Sequence, residues 1–301
     1  MYSCCALREP LFLSSASGGR THLMCGIFGY IGHRKNAASL IVGGLKKLEY
    51  RGYDSWGIAY DTGEKLALKK QVGKIGDFKM KKNDFAQSSL AIGHSRWATH
   101  GGVTVDNAHP HCDEKQQIAV VHNGIIENFE ELKKKLIKKG HHFKSETDTE
   151  TIVHLIEEYN KKHNFESAVK MTMRDLKGRY AILAIKTKEN KIIAGRRGSP
   201  LIVGVKKDEC FIASDIPAFL EFTDNVMYLD DNQMVVLKEK PFFYEIESGK
   251  PLRKRIVEIN WKASQSEKGA FPHYMIKEIM EQKDTIYRAI NQNDKHIKHI
   301  A

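Results

Sequence analysis

Short apolar runs of the length of a β-strand recur along the chain, with turn residues between them. Runs of about four to eight residues bounded in this way are typical of strands, and many of them together predict large sheets. The predicted strands are Cys25–Ile31, Leu90–His94, Ile118–Val121, Tyr180–Ile185, Lys191–Ala194, Leu201–Val205, Phe211–Ala213 and Met234–Leu237.

Three segments instead carry apolar residues at helical spacing, three or four positions apart. They span residues 36–49, 128–139 and 148–160. Such a stripe is typical of a helix that turns one face to a hydrophobic core. At the start of the third helix, Thr147 and Glu150 have the spacing of a capping box, in which both side chains bind backbone N–H groups of the first turn.

The order of these elements predicts how the chain is organised. Helices among the early strands, followed by a strand-rich second half, favour an α+β layered domain, which we expect to span residues 24–258. Residues 259–271 are mostly small and polar, which is typical of a linker. Residues 272–301 carry a further helical pattern, and residues 1–23 lack the apolar stretch of a signal peptide.

Composition and charge narrow the class of protein. The 301 residues are 41% hydrophobic, and no apolar run approaches the roughly 18–20 residues of a membrane span. The net charge of +11 is compatible with nucleic-acid binding. The lysines of residues 133–139, however, follow glutamates and lack stacking aromatics, which favours a solvated surface. Five cysteines without a framework spacing favour a cytoplasmic location. We therefore expect neither a membrane nor a nucleic-acid partner.

Cys25 stands apart because it directly follows Met24. Removal of the methionine would leave a terminal cysteine whose α-amine, with a reference pKa of about 7.7–8.0, can act as the general base for its own thiol. While residues 1–23 remain attached, that amine is an amide and has no base function. We expect translation to start at Met24, and residues 1–23 to be an extension or a misassigned start.

Polar residues also follow two of the predicted strands directly, in residues 94–102 and 122–128. A strand end that continues into polar residues and glycine is a common form of binding loop. Asn123–Gly124 is typical of a tight turn. Alternatively, the Asn123 amide and the Gly124 N–H are two donors suited to an oxyanion. The spacing leaves both interpretations open.

Two charged residues have similarly open roles. Asp148 lies in the first turn of its predicted helix, where it would complement the helix dipole or pair with a substrate ammonium. Arg96 would form either a surface ion pair or a fork for a substrate carboxylate.

The histidine-rich segments give little support for a metal site. The spacing of His109, His111 and Cys112 differs from that of a structural zinc site. His141 and His142 are expected to lie in a solvated loop. We predict no metal ligands from the sequence.

Several longer motifs lie in order along the chain. They are Cys25–Gly29, Leu48–Ser55, Arg96–Gly101, Asn107–His111, His122–Asn128, Ser145–Glu150, Gly198–Leu201, Ala213–Asp215, His273–Met275 and Lys277–Ile279. Together they resemble the glutaminase domain of the glutamine–fructose-6-phosphate aminotransferases, from Met24 to about residue 290. The resemblance implies a four-layer αββα N-terminal-nucleophile hydrolase domain of the class II glutamine amidotransferases.

The resemblance also assigns the chemistry. It implies that Cys25 attacks the side-chain amide of glutamine, that its α-amine accepts the thiol proton, and that water hydrolyses the resulting thioester. Asn123 and Gly124 would hold the oxyanion.

The substrate contacts follow from the same resemblance. Arg96 and Asp148 would hold the carboxylate and the ammonium of glutamine. Trp97, Thr99 and His100 would line the pocket, and neither a metal nor an organic cofactor is implied.

In the family, ammonia passes to a sugar-isomerase half that aminates fructose 6-phosphate. We expect residues 272–301 to be the start of that half and the remainder to be absent, so that fructose 6-phosphate would be reached only through the missing half. The family's dimer contacts lie mostly there, which leaves a homodimer open.

One residue departs from the family pattern, and two alternative functions follow from the sequence. Trp56 stands where the family usually has alanine, and such overpacking is expected to reshape the corner near Cys25. A blocked Cys25 amine would leave a non-catalytic glutamine-binding module. A different ammonia-donating amidotransferase is disfavoured by the later motifs.

Overall fold

Two β-sheets and a small set of helices make up the structure. The computed structural model describes residues 25–259, residue 271 and residues 274–290. The strands are β1 (Gly26–Gly32), β2 (Ser55–Asp61), β3 (Leu66–Val72), β4 (Leu90–Arg96), β5 (His111–Cys112), β6 (Ile118–Ile126), β7 (Gly178–Lys186), β8 (Glu189–Arg197), β9 (Ile202–Lys206), β10 (Glu209–Ala213), β11 (Asn225–Tyr228), β12 (Gln233–Leu237), β13 (Pro241–Glu245), β14 (Pro251–Leu252) and β15 (Val257–Glu258). The helices are α1 (Ala37–Lys47), α2 (Phe129–Lys138), α3 (Thr149–Asn160), α4 (Phe165–Asp175) and α5 (Tyr274–Ile290).

The sheets take their strands from different parts of the chain. The first has the order β15-β11-β9-β10-β1-β4-β2-β3, and the second has the order β14-β13-β12-β8-β7-β6-β5. Strand β1 pairs antiparallel with β4 and β10, and β6 pairs antiparallel with β7. Because successive side chains of a strand point to opposite faces, each strand contributes to two packing layers.

Three hydrophobic clusters correspond to these layers. Ile27 and Ile31 of β1 share the inter-sheet cluster with Val121 of β6. Phe28 belongs instead to the cluster formed with α1 on the outer face of the first sheet. Helices α2, α3 and α4 cover the outer face of the second sheet, where Val120 is buried. This helix–sheet–sheet–helix stacking confirms the predicted four-layer αββα arrangement.

A strand is present at each position that the apolar runs predicted. Strands β2 and β3, among others, were not predicted from the sequence. Strand β3 is half-buried and rich in lysine and glutamine, which is typical of an edge strand and weakens the hydrophobic signal. Strand β2 is buried over most of its length, but it follows a polar segment and contains glycine and serine.

The three predicted helices are present as α1, α2 and α3, and α4 was missed. The Asn164 side chain caps α4 by accepting a hydrogen bond from the Ser167 N–H at 2.9 Å. Phe165, Ala168 and Val169 begin its buried stripe. The cap and the stripe together are the signal that could have identified it.

The predicted capping box at α3 is wrong. Asp148 occupies the N-cap position, and the Thr147 hydroxyl pairs with the His111 ring at 3.0 Å. The Glu150 carboxylate reaches backwards and accepts hydrogen bonds from the backbone N–H groups of Lys144 and Ser145, at 2.8 and 2.7 Å. Glu150 thus attaches the segment before α3 to the first turn of the helix.

Parts of the predicted domain organisation lie outside the described residues, namely residues 1–24, 260–270, 272–273 and 291–301. The boundaries at residues 24, 258 and 271 therefore stay predictions, although α5 lies in the segment expected to be helical. Among the described residues, none of the helices combines the length and the apolar character that crossing a membrane requires.

Two adjacent glycines of α1 provide a test of how α1 packs on the sheet. A Cβ on Gly44 would lie 2.3 Å from the Phe28 ring and 2.9 Å from the Ala218 carbonyl oxygen, whereas a Cβ on Gly43 would meet nothing within 4 Å. We expect Gly44→Ala to lower the free energy of unfolding by about 1–3 kcal/mol through overpacking. Gly43→Ala should raise it by about 0.5–1 kcal/mol, because alanine favours the helix. Urea denaturation of both variants measures the difference, and equal effects would contradict this packing.

Candidate active site

The candidate site lies where the inter-sheet layer changes from apolar to polar side chains. Along β1 and β4, the residues that face the other sheet alternate with residues that face α1. Continued to the strand end, the same alternation directs Cys25, His94 and Arg96 towards the second sheet. On β6, the alternation that buries Ala119 and Val121 between the sheets reaches Asn123. The site is therefore one end of the hydrophobic core.

The Cys25 sulphur is held by the loop that follows β4. Its Sγ accepts a hydrogen bond from the Trp97 backbone N–H at 3.1 Å. Burial raises the pKa of the Cys25 thiol, although the Trp97 N–H and the Arg96 charge act in the opposite direction. The thiol is consequently protonated at neutral pH, and it needs a base before it can attack a carbonyl.

Asn123 bridges the two sheets. Its Nδ2 donates to the carbonyl oxygen of Cys25 at 2.7 Å, and its Oδ1 lies 2.9 Å from Nε2 of His94. Because Oδ1 can only accept, the His94 Nε2 carries the hydrogen. Burial lowers the pKa of His94 to about 3, so the ring is neutral. His94 thus holds the amide with its NH₂ group towards Cys25.

Gly124 lies within strand β6, so the tight-turn interpretation of Asn123–Gly124 is wrong. The two residues pair with Ala181 and Tyr180 of β7. Gly124 has φ +124°, and a Cβ there would lie 2.0 Å from the Arg179 carbonyl oxygen. Only glycine fits this backbone at this close approach.

Arg96 is buried, which rules out the surface ion pair. Its guanidinium donates to the carbonyl oxygens of His100 and Gly102, the latter at 3.1 Å. Burial lowers the pKa of Arg96, and the negative charges of Asp54 and Asp148 act against that shift. In this structure Arg96 therefore holds the 100–102 loop over the site.

Asp148 lies at the start of α3, where it occupies the N-cap position. Its Oδ2 accepts a hydrogen bond from the Ile126 N–H at 2.8 Å, which ties α3 to the end of β6. The side chain is 5% exposed. The helix-dipole role and a role in binding a cation are compatible here, because the carboxylate lies at the N-cap and also borders the cleft.

A narrow cleft brings the predicted residues together. The cleft has room for about one water molecule, at about 20 Å³, so the surrounding loop must move to admit a ligand of amino-acid size. The predicted residues that line it are Cys25, Arg96, Trp97, Thr99, His100, Gly124 and Asp148. The other lining residues had no predicted role in the site, and they are His109, His122, Thr147 and Thr149.

Buried histidines surround the polar end of the core. The ring centroids of His94 and His109 are 4.1 Å apart, and those of His109 and His111 are 4.9 Å apart. Burial lowers the pKa of each of these rings and that of His122, which pairs with the Thr149 hydroxyl at 2.9 Å. These rings are neutral hydrogen-bonding groups at physiological pH. The available signal was that His109, His111 and His122 lie within the longer motifs and that His94 begins the polar segment 94–102.

Trp56 does not line the cleft. Its side chain is buried in the cluster between the first sheet and α1, with its ring centroid 5.0 Å from that of Phe78. The expected reshaping beside Cys25 is therefore not seen among the lining residues, because the indole points to the opposite face of the sheet.

Comparison with known proteins adds independent support. A family model described as a glutamine amidotransferase domain matches residues 94–221. Glutamine–fructose-6-phosphate aminotransferase of Pyrococcus horikoshii is 48% identical over 283 residues, which cover 92% of this chain and 47% of that protein. The enzyme of the same name from Methanococcus maripaludis is 47% identical over 270 residues, which cover 86% of this chain and 45% of that protein. The chain spans about half the length of these relatives.

Solved structures agree with this relationship. Glutamine phosphoribosylpyrophosphate amidotransferase from B. subtilis, in complex with ADP and GMP, has a TM-score of 0.64 and 27% identity. The match covers 74% of this chain and 50% of that one. A structure described as the allosteric regulatory enzyme of purine biosynthesis has a TM-score of 0.65 and 30% identity. That match covers 74% of this chain and 49% of the other chain. The chain therefore belongs to the class II glutamine amidotransferases, in the family of the glutamine–fructose-6-phosphate aminotransferases.

Proposed function

We propose that this chain hydrolyses glutamine to glutamate and ammonia through a thioester on Cys25. The observation that carries the proposal is the contact between the sheets at Cys25. There the sulphur accepts the Trp97 N–H while the Asn123 amide lies 2.7 Å from the carbonyl oxygen of the same cysteine. The proposed nucleophile, which lines the narrow cleft, and the proposed oxyanion donor are thus held side by side.

The base for the thiol is the α-amine of Cys25, in a chain that begins at this residue. The raised thiol pKa supports this step, because a protonated thiol gains most from an adjacent base. The amine takes the thiol proton as the sulphur attacks the side-chain carbon of glutamine. It then passes that proton to the departing nitrogen, so that the C–N bond breaks and ammonia leaves. Water hydrolyses the thioester and releases glutamate.

The negative charge on the substrate oxygen is stabilised by two donors. The Asn123 amide is one, and His94 holds its NH₂ group towards the backbone carbonyl of Cys25. The Gly124 N–H is the second. Donors fixed before the reaction stabilise the developing charge without reorganisation, and one such donor typically contributes about 3–4 kcal/mol.

Arg96 and Asp148 are proposed to bind the α-carboxylate and the α-ammonium of glutamine. Both are buried, of opposite charge, and border the cleft. The Arg96 guanidinium now donates to loop carbonyls at residues 100–102, and a substrate carboxylate would offer it a charged acceptor instead. Thr99 and His100 move with this loop when glutamine enters.

In a longer protein, the ammonia is proposed to aminate fructose 6-phosphate. The support is the name of the relatives, which are about twice as long as this chain. Homodimer formation and a cytoplasmic location stay predictions. The alternative, a glutamine-binding module without turnover, requires a blocked Cys25 amine and is not favoured by the family relationship.

The role of the amine is tested by comparing two forms of the chain, one that begins at Cys25 and one that begins at Met1. We expect only the first to release ammonia from glutamine. Cys25→Ala in the first form serves as the control and should abolish turnover while leaving glutamine binding intact, as measured by calorimetry. Equal turnover in both forms would disprove the role of the α-amine as the base.

The role of Asn123 is tested by Asn123→Ala. We expect kcat to fall by about 10²–10³-fold with little change in glutamine affinity, because the amide acts on the transition state. Asn83→Ala, at an exposed asparagine, is the matched control and should change neither quantity. A large loss of affinity with kcat unchanged would reassign Asn123 to holding the substrate.

The pH dependence should report the proposed base and not His94 or the Cys25 thiol. The pKa of His94 is about 3 and that of the Cys25 thiol is raised, so neither group titrates between pH 6 and pH 8. The base must be unprotonated, so kcat/KM should rise with pH through about 7.7–8.0 and fall tenfold per pH unit below it. A profile that is flat over this range would exclude the α-amine as the base.

A further inference from the structure

Two buried imidazoles and a carboxylate converge away from the cleft, between the segment after α2 and the second turn of α3. Nδ1 of His141 lies 3.2 Å from Oε2 of Glu157, and Nδ1 of His154 lies 3.3 Å from the same oxygen. The side chains of His141 and His154 are 5% and 1% exposed. His141 is thus buried, contrary to the solvated loop expected from the sequence.

The second ring nitrogen of each histidine, Nε2, faces a carboxylate other than Glu157. Nε2 of His141 lies 3.2 Å from Oε2 of Glu158, and Nε2 of His154 lies 3.7 Å from Oε1 of Glu150. In protein metal sites, a histidine ligand usually donates its second N–H to a carboxylate, which fixes the ring and raises the basicity of the ligating nitrogen. His141 has this arrangement, whereas Nε2 of His154 faces Glu150 from beyond hydrogen-bond distance. In both rings Nδ1 is directed at Glu157.

We propose that Nδ1 of His141, Nδ1 of His154 and the carboxylate of Glu157 bind one divalent zinc ion. Two His and one Glu form a known donor set for Zn²⁺. Donors at about 2.0–2.1 Å in a tetrahedron lie roughly 3.3 Å apart, and the measured separations from Glu157 match that spacing. The three potential ligand atoms all lie within 4.8 Å of one another.

The surroundings provide access and a fourth position. The Glu157 side chain is 19% exposed, so an ion can reach the group from solvent and keep a water as its fourth ligand. The alternative occupant is a proton shared between the rings and the carboxylates. Zinc binding must displace it, because only a neutral imidazole ligates a metal.

The ion would serve structure and would not take part in glutamine hydrolysis. It would join His141 to α3, and α3 carries Asp148 at its start. Glu150 already attaches the Lys144 and Ser145 N–H groups to the same helix. The zinc site would therefore strengthen the attachment of one wall of the cleft to the body of the domain.

The experiment is a titration of the full, tag-free chain, stripped with a chelator, with Co²⁺ followed by its visible d–d absorption and then displaced by Zn²⁺. We expect one ion per chain and a tetrahedral spectrum without thiolate charge-transfer bands. Glu157→Gln should weaken binding at least about 100-fold. Glu158→Gln should weaken it about 10–100-fold, as is typical of a group that orients a ligand.

His142→Phe is the matched control, because its side chain is 74% exposed and neighbours His141. It should bind the metal as the unsubstituted chain does, and circular dichroism verifies that each variant is folded. Absence of binding by the unsubstituted chain would leave a proton as the only occupant and overturn the proposal. Binding that persists unchanged in folded Glu157→Gln, or that shows thiolate bands, would also overturn it.

Discussion

The candidate site depends on the close contact of the two β-sheets, because the proposed nucleophile and the proposed oxyanion donor belong to different sheets. Cys25 precedes β1 in the first sheet, and Asn123 lies on β6 in the second. Their 2.7 Å contact requires the inner faces to approach closely. Gly29 contributes to this approach, since a Cβ there would lie 2.8 Å from Leu183 of the opposite sheet. The inter-sheet core therefore supports the fold and also aligns the two groups that we propose to react with and to stabilise the substrate.

The electrostatics of the site follow from its position at the end of that core. Burial keeps the Cys25 thiol protonated and the surrounding histidines neutral. Neutral rings can orient amides and hydroxyls, as His94 does for Asn123, without competing for the proton of the thiol. A site of this kind has no permanent thiolate, and so a base at the nucleophile itself fits its chemistry. Buried Arg96 and Asp148 carry the opposite charges that we propose bind a zwitterionic substrate.

Helix α3 connects several parts of this arrangement. Its N-cap residue, Asp148, borders the cleft and binds the end of β6, and Glu150 holds the preceding segment. One turn further along, His154 and Glu157 meet His141. Glu150 and His154 lie one helical turn apart, so a single helix carries both the wall of the cleft and the proposed metal ligands. A metal ion that held His154 and Glu157 would therefore also restrict the motion of the cleft wall at Asp148.

Much of the architecture was predictable from local pattern. The alternation in β1, β4 and β6 and the helical stripes of α1 to α3 depend on residues two to four positions apart, so the sequence by itself determined these elements. The sequence also shows that Cys25 directly follows Met24, and it contains the motifs that indicate the family. Elements with weaker local signals, such as the lysine-rich edge strand β3, were not found in this way.

Contacts between distant segments were decided only by the tertiary structure. The sequence alone does not indicate that His94 orients Asn123 or that Arg96 binds the carbonyls of the loop that follows it. It also does not indicate that His141 is buried against α3. It suggested a turn at Asn123–Gly124 and a capping box at Thr147, and both were wrong because β7 pairs with Gly124 and His111 binds Thr147. Local pattern selects the element and its buried face, whereas the partner of each polar group depends on which surfaces meet when the sheets and helices pack.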